Sequence, residues 1–237
     1  MESLRSIAKM IDHSLLHPTL TDQELHDGCL LARRYDVAAV CIKPYAVPMA
    51  RDILKGSAVA VGTVVGFPHG SSTRDVKRNE AERALMDGAT ELDMVVNVGK
   101  VLSGDWAYVR EEVELLNAVA VGAGATLKVI FENDFLADDA WKVHLCTVCN
   151  EVRVAFAKTS TGYGFVKQPD GGYRYRGATD HDLRLMREAC AGLIQIKAAG
   201  GIRTLDDLLR VRALGATRVG ATATATILEE AAARGWQ

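Results

Sequence analysis

Residues 88–97 read Gly88-Ala-Thr-Glu-Leu-Asp-Met-Val-Val-Asn97, and this stretch decides the fold. A helical pattern ends at Gly88, where glycine permits a left-handed stop, and Thr90 opens an extended segment. Read with a period of two, Leu92, Met94 and Val96 share one face of that segment, while Glu91, Asp93 and Asn97 share the other. The same Gly-Ala-Thr recurs at Gly124 and Gly215, each time between a helical pattern and an apolar run.

Outward from this unit, short apolar runs alternate with longer amphipathic ones. The pattern predicts strands near residues 10–16, 37–42, 58–65, 90–97, 125–132, 153–159, 193–198 and 217–220, with helical spacing such as 103–121 between them. Helix starts carry the Ser/Thr-x-x-Asp/Glu signature at Thr21 with Glu24, Ser72 with Asp75, Thr179 with Asp182 and Thr204 with Asp207. Eight strand-helix units without a Pro/Ser-rich linker predict an α/β protein with one domain over 1–237, a closed (β/α)8 barrel of the TIM type. A doubly wound open sheet would place Gly-x-Gly-x-x-Gly after its first strand, whereas LLHPTLTDQ stands at 15–23.

Composition narrows the function. The 237 residues carry 28 Lys and Arg against 30 Asp and Glu, a net charge of −2, so the clustered positive surplus of a nucleic-acid binder is missing. No apolar run reaches the length of a membrane span, and MESLRSIAKMIDHS lacks the apolar stretch of a secretory signal. Five cysteines, an odd and scattered set, fit a reducing compartment, and the expectation is a cytoplasmic protein. Cys146 and Cys149 form a CxxC near His144, but their spacing puts both sulfurs on one helix face and no second ligand pair follows. Helix packing is therefore preferred to a metal site.

Period two places charge on the inner face of several strands. Lys128, Ile130 and Glu132 oppose Leu127, Val129 and Phe131. Gln195 and Lys197 oppose Ile194 and Ile196, and Lys158 keeps register with Val154 and Phe156. Because barrel strands give their apolar faces to the helices, Glu91, Asp93 and Glu132 are expected to converge inside with Lys128, Lys158 and Lys197. An internal ion-pair network would satisfy the cost of burying such charges. Lys158 and Lys197, however, stand at the carboxyl ends of their strands, where barrel enzymes keep their active sites. A lysine attacks a carbonyl only as the neutral amine, about one molecule in 2,500 at pH 7 for an unperturbed group. A second lysine nearby depresses that pKa, and Asp93 is placed to carry protons. These are the parts of Schiff-base catalysis, with either lysine as the nucleophile. Gly200 and Gly201 follow Lys197, and RVGATAT closes the last strand, so glycine amides and a helix amino terminus are expected to cradle a phosphate.

The motifs IDHSLL (11–16), AAVCIKP (38–44), VVGFPHG (64–70), ELDMVVNVG (91–99), LKVIFE (127–132), AKTSTGYG (157–164), IKAAGGIRT (196–204) and GATRVGAT (215–222) resemble the 2-deoxyribose-5-phosphate aldolase family, in order and over nearly the whole chain. The resemblance implies a class I aldolase on a (β/α)8 barrel, needing neither metal nor cofactor. Such an enzyme reversibly cleaves 2-deoxyribose 5-phosphate to acetaldehyde and glyceraldehyde 3-phosphate, in deoxyribose catabolism. It implies that Lys158 of KTSTG forms the Schiff base, Lys197 depresses its pKa and Asp93 transfers protons. Asp12 and Lys128 would orient hydroxyls and support the proton network, and Gly162, Gly200, Gly201, Gly220 and Thr222 would bind phosphate. The partners implied are a small sugar phosphate and aldehydes, not nucleic acid or membrane, with a homodimer as a conceivable assembly.

Two features depart from the family pattern. Thr222-Ala223 stands where many members have two serines, removing one hydroxyl. FVKQPDGGYRYRGAT also intervenes after KTSTG, with Pro169-Asp170-Gly171-Gly172 reading as a hairpin turn, so residues 165–176 are expected to reshape the substrate mouth. Cys41 reads as a buried strand residue near the mouth. His13, His17 and His69 read as loop histidines, and Arg203 and Arg218 as surface or phosphate-steering charges. The alternatives are a lysine-dependent lyase for another sugar, or a silent phosphate-metabolite binder, whose mark would be a missing lysine or aspartate; none is missing.

Overall fold

The computed structural model describes residues 3–236; Met1, Glu2 and Gln237, counted in the single domain expected from sequence, lie outside the described residues. The strands are β1 (Ile11–Leu15), β2 (Ala39–Ile42), β3 (Ala60–Val65), β4 (Glu91–Val95), β5 (Thr126–Ile130), β6 (Phe156–Lys158), β7 (Val166–Lys167), β8 (Tyr173–Arg174), β9 (Gln195–Ala199) and β10 (Ala216–Ala221). All but β7 and β8 pair in parallel as a closed barrel, in which β10 meets β1 with Asp12 opposite Gly220. β7 and β8 form the antiparallel hairpin that Pro169-Asp170-Gly171-Gly172 signalled.

The helices are α1 (Leu4–Ala8), α2 (Asp22–Arg34), α3 (Val47–Leu54), α4 (Arg74–Asp87), α5 (Val98–Leu102), α6 (Trp106–Gly122), α7 (Asp139–Val152), α8 (Asp180–Ala189), α9 (Leu205–Ala213) and α10 (Thr224–Ala233). Thr21, Thr179 and Thr204 accept first-turn amides as their spacing predicts. The fourth start differs: Thr73, not Ser72, caps α4 by accepting the Val76 amide. Adjacent hydroxyls compete for one cap, and Asp75 lies in the first turn with either choice. Gly88 ends α4 in the left-handed region at φ +111°, and a Cβ there would stand 2.6 Å from the Arg51 side chain.

The main core lies between strands and helices. Leu92, Met94, Leu127, Val129 and Ile196 pack outward there with Val109, Val113 and Leu116 of α6, all nearly or fully buried. Apolar surface removed from water on this side leaves the alternate strand positions inside the barrel. Among the described residues no helix is long and apolar enough to cross a membrane.

Candidate active site

Strand register sets the interior. Asp93 of β4 pairs in register with Lys128 of β5, and Lys158 of β6 with Lys197 of β9. Lys158 Nζ donates to Asp93 Oδ2 at 2.7 Å, and Lys197 Nζ reaches the same oxygen at 2.7 Å. Lys197 also donates to Asp12 Oδ2, which accepts from Lys128 at 2.9 Å. Lys128 donates to Glu91 as well and lies 3.1 Å from Asp93 Oδ1.

The inner charge set differs from that read by alternation at three residues. Glu132 lies beyond the end of β5 and accepts from Thr161 instead of joining the lysines. Asp12, on β1, takes its place. Arg218, expected at the surface or near phosphate, is inside the barrel, donating to Asp12 Oδ1 at 2.6 Å and lying 3.4 Å from Glu91. A register irregularity between Ala216 and Arg218 accompanies this placement. Applied to ATRVGA, the alternation that located the lysines would have put Arg218 and Gly220 on one face; that signal was available.

Three carboxylates, Asp12, Asp93 and Glu91, thus face four cations, Lys128, Lys158, Lys197 and Arg218. With every group ionised, one positive charge is in excess, and unbalanced charge is costly in a buried cluster. The titration preferences locate the excess. Burial opposes the charged form of Lys128, but Asp12, Asp93 and Glu91 outweigh it and hold its ammonium well above the ordinary lysine value. Lys197 and Arg218 are likewise pushed up, against burial, by the carboxylates beside them. Lys158 alone of the four goes down: burial is the largest cause, Asp93 opposes it and Lys197 adds to the lowering. The neighbouring lysine therefore contributes as expected, but burial contributes more.

A cavity of about 370 Å³ opens above this cluster at the carboxyl ends of the strands. Lys158, Lys197 and Asp12 reach it, together with Gly162, Gly200, Gly201, Gly220 and Thr222, so all five residues expected at the phosphate end line one space. Asp93 and Lys128 are buried beneath it. Gly200 has φ +89°, and its backbone is approached so closely by Gly177 that a Cβ on either would come within 2.8 Å of the other. The two helix amino termini beyond the glycines differ. In α9, Asp207 accepts the Arg203 and Thr204 amides, and Glu230 accepts the Leu205 amide. Ala223, which precedes α10, supplies no side-chain cap, so that terminus presents amides suited to an anion.

The hairpin contributes a wall of the cavity, as its position suggested. Phe165 and Tyr175 line it and meet edge to face at 5.1 Å; nothing in their spacing marked them as site residues. Arg203 and His17 also line it. His13 is a correction: it belongs to β1, is buried, and shares a hydrogen bond with Thr224 Oγ1 at 2.9 Å, with burial lowering its pKa to about 4. His69 is exposed. Cys41 is buried, as expected, and lines the cavity; burial first, then Asp93, pushes its thiol up to about 11, away from the reactive thiolate. Cys146 and Cys149 are buried in α7 and unpaired. Elsewhere, Asp139, His181 and Asp182 gather their ligand atoms within 4.8 Å, but Lys142 lies 3.0 Å from Asp139 and also pairs with Asp182, so a cation of the chain already serves them.

A parallel barrel with a buried lysine pushed toward the neutral amine beneath a glycine-lined cavity suits the handling of a carbonyl, and the comparisons are specific. The family described as DeoC/LacD family aldolase matches residues 6–226. The chain is 49% identical over 225 residues to the deoxyribose-phosphate aldolase of Rhodopirellula baltica, covering 95% of this chain and 89% of that one. It is 43% identical to the deoxyribose-phosphate aldolase of Caldanaerobacter subterraneus subsp. tengcongensis, over 97% and 95% of the two chains. Among solved structures, the tetrameric deoxyribose phosphate aldolase of Aeropyrum pernix superposes with a TM-score of 0.84 at 28% identity, over 96% of this chain and 92% of that one. The chain belongs to the DeoC/LacD aldolase family. It is an aldolase, a carbon-carbon lyase.

Proposed function

We propose that this aldolase reversibly cleaves 2-deoxyribose 5-phosphate to acetaldehyde and glyceraldehyde 3-phosphate through a Schiff base on Lys158. The observation that carries this reading is the excess cation: Lys158 is the member of the cluster driven toward the neutral amine, and it opens onto the cavity. The neutral amine adds to C1 of the open-chain sugar, and loss of water leaves an iminium. Removal of the C3 hydroxyl proton then breaks C2–C3, with the electron pair passing into the iminium as an enamine. Glyceraldehyde 3-phosphate departs; protonation at C2 and hydrolysis release acetaldehyde and restore the amine. Asp93 accepts from both lysines and is the group able to move protons between them. The five glycine and threonine positions and the open start of α10 suit the phosphate.

The five buried, unpaired cysteines support a reducing compartment, and we place the enzyme in the cytoplasm. The test of the mechanism is borohydride reduction in the presence of acetaldehyde, with mass mapping of the modified lysine. Label on Lys158, lost together with turnover in Lys158→Ala, is the expected result. Label that maps to Lys197 would reverse the roles of the two lysines.

A further inference from the structure

The turn after β5 holds two carboxylates that the reaction does not use. Glu132 has a left-handed backbone, φ +58° and ψ +61°, uncommon for a residue with a side chain. Its neighbours remain tied to the exit of β6: the Phe131 amide donates to the Lys158 carbonyl and the Asn133 amide to the Thr159 carbonyl, both at 3.0 Å. The residue between them turns its carboxylate over the KTSTG loop. There it accepts the Thr161 amide at 3.1 Å and the Thr161 hydroxyl, while Thr161 Oγ1 accepts the Tyr163 amide at 2.9 Å. Gly164 completes the fit, because a Cβ at that position would stand 2.8 Å from the Glu132 carboxylate.

Two residues on, Asp134 accepts the Arg176 amide at 2.6 Å and the Gly177 amide at 3.0 Å. Gly177 is the residue packed against Gly200, and the next amide, that of Ala178, donates to the Gly200 carbonyl at 3.2 Å. One turn therefore grips two loops, and each loop sets a glycine of the cradle: Gly162 between Thr161 and Tyr163, and Gly200 against Gly177. Neither carboxylate lines the cavity.

We propose that Glu132 and Asp134 are positioning residues that assemble the phosphate cradle from outside it, by fixing the loops after β6 and β8. The proposal rests on reading the cavity as a phosphate site. A buried carboxylate bonded to a backbone amide and a hydroxyl holds both in one geometry, and charge-assisted bonds of this kind are stronger than neutral ones. Removing it frees the loop without touching Lys158.

The test compares Glu132→Ala, Glu132→Gln and Asp134→Ala with the unmodified enzyme. Glu132→Ala is expected to raise KM for 2-deoxyribose 5-phosphate by about tenfold or more, since more than one hydrogen bond to the loop is lost. The change in kcat should be smaller, and borohydride trapping of acetaldehyde on Lys158 should keep its rate, because acetaldehyde has no phosphate. Glu132→Gln retains an acceptor for Thr161 and should recover most of the affinity. Asp134→Ala should weaken phosphate recognition in the same sense. Calorimetric titration with inorganic phosphate reads the cradle apart from turnover, so a chain without the proposed aldol activity would still report on the clamp. Should Glu132→Ala unfold the chain, Asp134→Ala carries the test, since its side chain does not line the cavity. An unmoved KM and phosphate affinity in these variants, or trapping that falls in step with KM, overturns the proposal.

Discussion

Lys77 and Lys158 are both buried against a carboxylate, and of this pair only Lys158 opens onto the cavity. Lys77, on α4, is wholly buried; its Nζ donates to the Val95 carbonyl at 2.7 Å and to Glu112 of α6 at 2.6 Å, and Glu112 also accepts the Asn97 amide. Lys158 meets Asp93 at a similar 2.7 Å. Burial lowers the pKa of both lysines. A depressed pKa is therefore no mark of a nucleophile by itself. The Lys77 pair is closed, one cation to one carboxylate, with its remaining valences spent on backbone. The Lys158 cluster has one cation too many, a second lysine on the same carboxylate oxygen, and a cavity above it.

The strongest way to break this contrast is to open the closed pair. Lys77→Met strands the Glu112 carboxylate in the core and leaves the Val95 carbonyl without its donor, a change that typically costs about 3–5 kcal/mol when a buried ion pair is halved. Urea denaturation should show that loss, while aldolase turnover per folded molecule stays near that of the unmodified enzyme. Should Lys77→Met instead remain stable and lose Schiff-base trapping, the two lysines would not be separable as argued.

The open cluster can be rebalanced in turn. Lys197→Leu removes the cation that lowers Lys158 and leaves Asp93 to Lys158 and Lys128 alone, and both changes raise the Lys158 pKa. A raised lysine pKa means less neutral amine at any given pH, so the acidic limb of the kcat/KM profile should move to higher pH. At pH 7 the loss should be about tenfold or more, partly recovered in alkaline buffer. A profile that keeps its shape and position would leave burial as the sole cause of the lowering and reduce Lys197 to a structural partner.

The open side of this contrast was largely readable from residue order. Alternation in ELDMVVN and LKVIFE located Asp93 and Lys128 because a strand has only two faces, and the apolar one is claimed by the helices. The method reaches its limit at Glu132. Alternation assumes that the strand continues, and Glu132 follows the end of β5 in a left-handed turn, so its side chain leaves the pattern. Arg218 differs in kind: alternation in ATRVGA puts it on the face of Gly220, and only the expectation that an arginine seeks the surface hides its place beside Asp12 of β1 and Glu91 of β4. Phe165 and Tyr175 became site residues only because the hairpin folds back over the barrel, a tertiary event with no local period. The Lys77–Glu112 pair was hidden for the same reason, since its partners lie 35 positions apart on two helices.

The same division between closed and open separates the two helix starts at the cavity, and here the expected effect is smallest. The α9 terminus is closed by Asp207 and Glu230, whereas α10 begins after Ala223 with no side-chain cap. Ala223→Ser places a hydroxyl where it can meet either the first-turn amides of α10 or the substrate phosphate, and the two uses have different signatures. As a phosphate donor, one neutral hydrogen bond should contribute about 0.5–1.5 kcal/mol, a two- to twelvefold fall in KM for 2-deoxyribose 5-phosphate and none for unphosphorylated 2-deoxyribose. As a helix cap, it should raise stability by about 0.5–2 kcal/mol and compete with the phosphate for the same amides, so KM would hold or rise. The glycine-lined cavity favours the first outcome, since Gly220 and Thr222, just ahead of Ala223, line it. A gain in melting temperature with no gain in phosphate affinity would show that the α10 terminus is merely uncapped, and that recognition rests on Gly162, Gly200 and Gly201 alone.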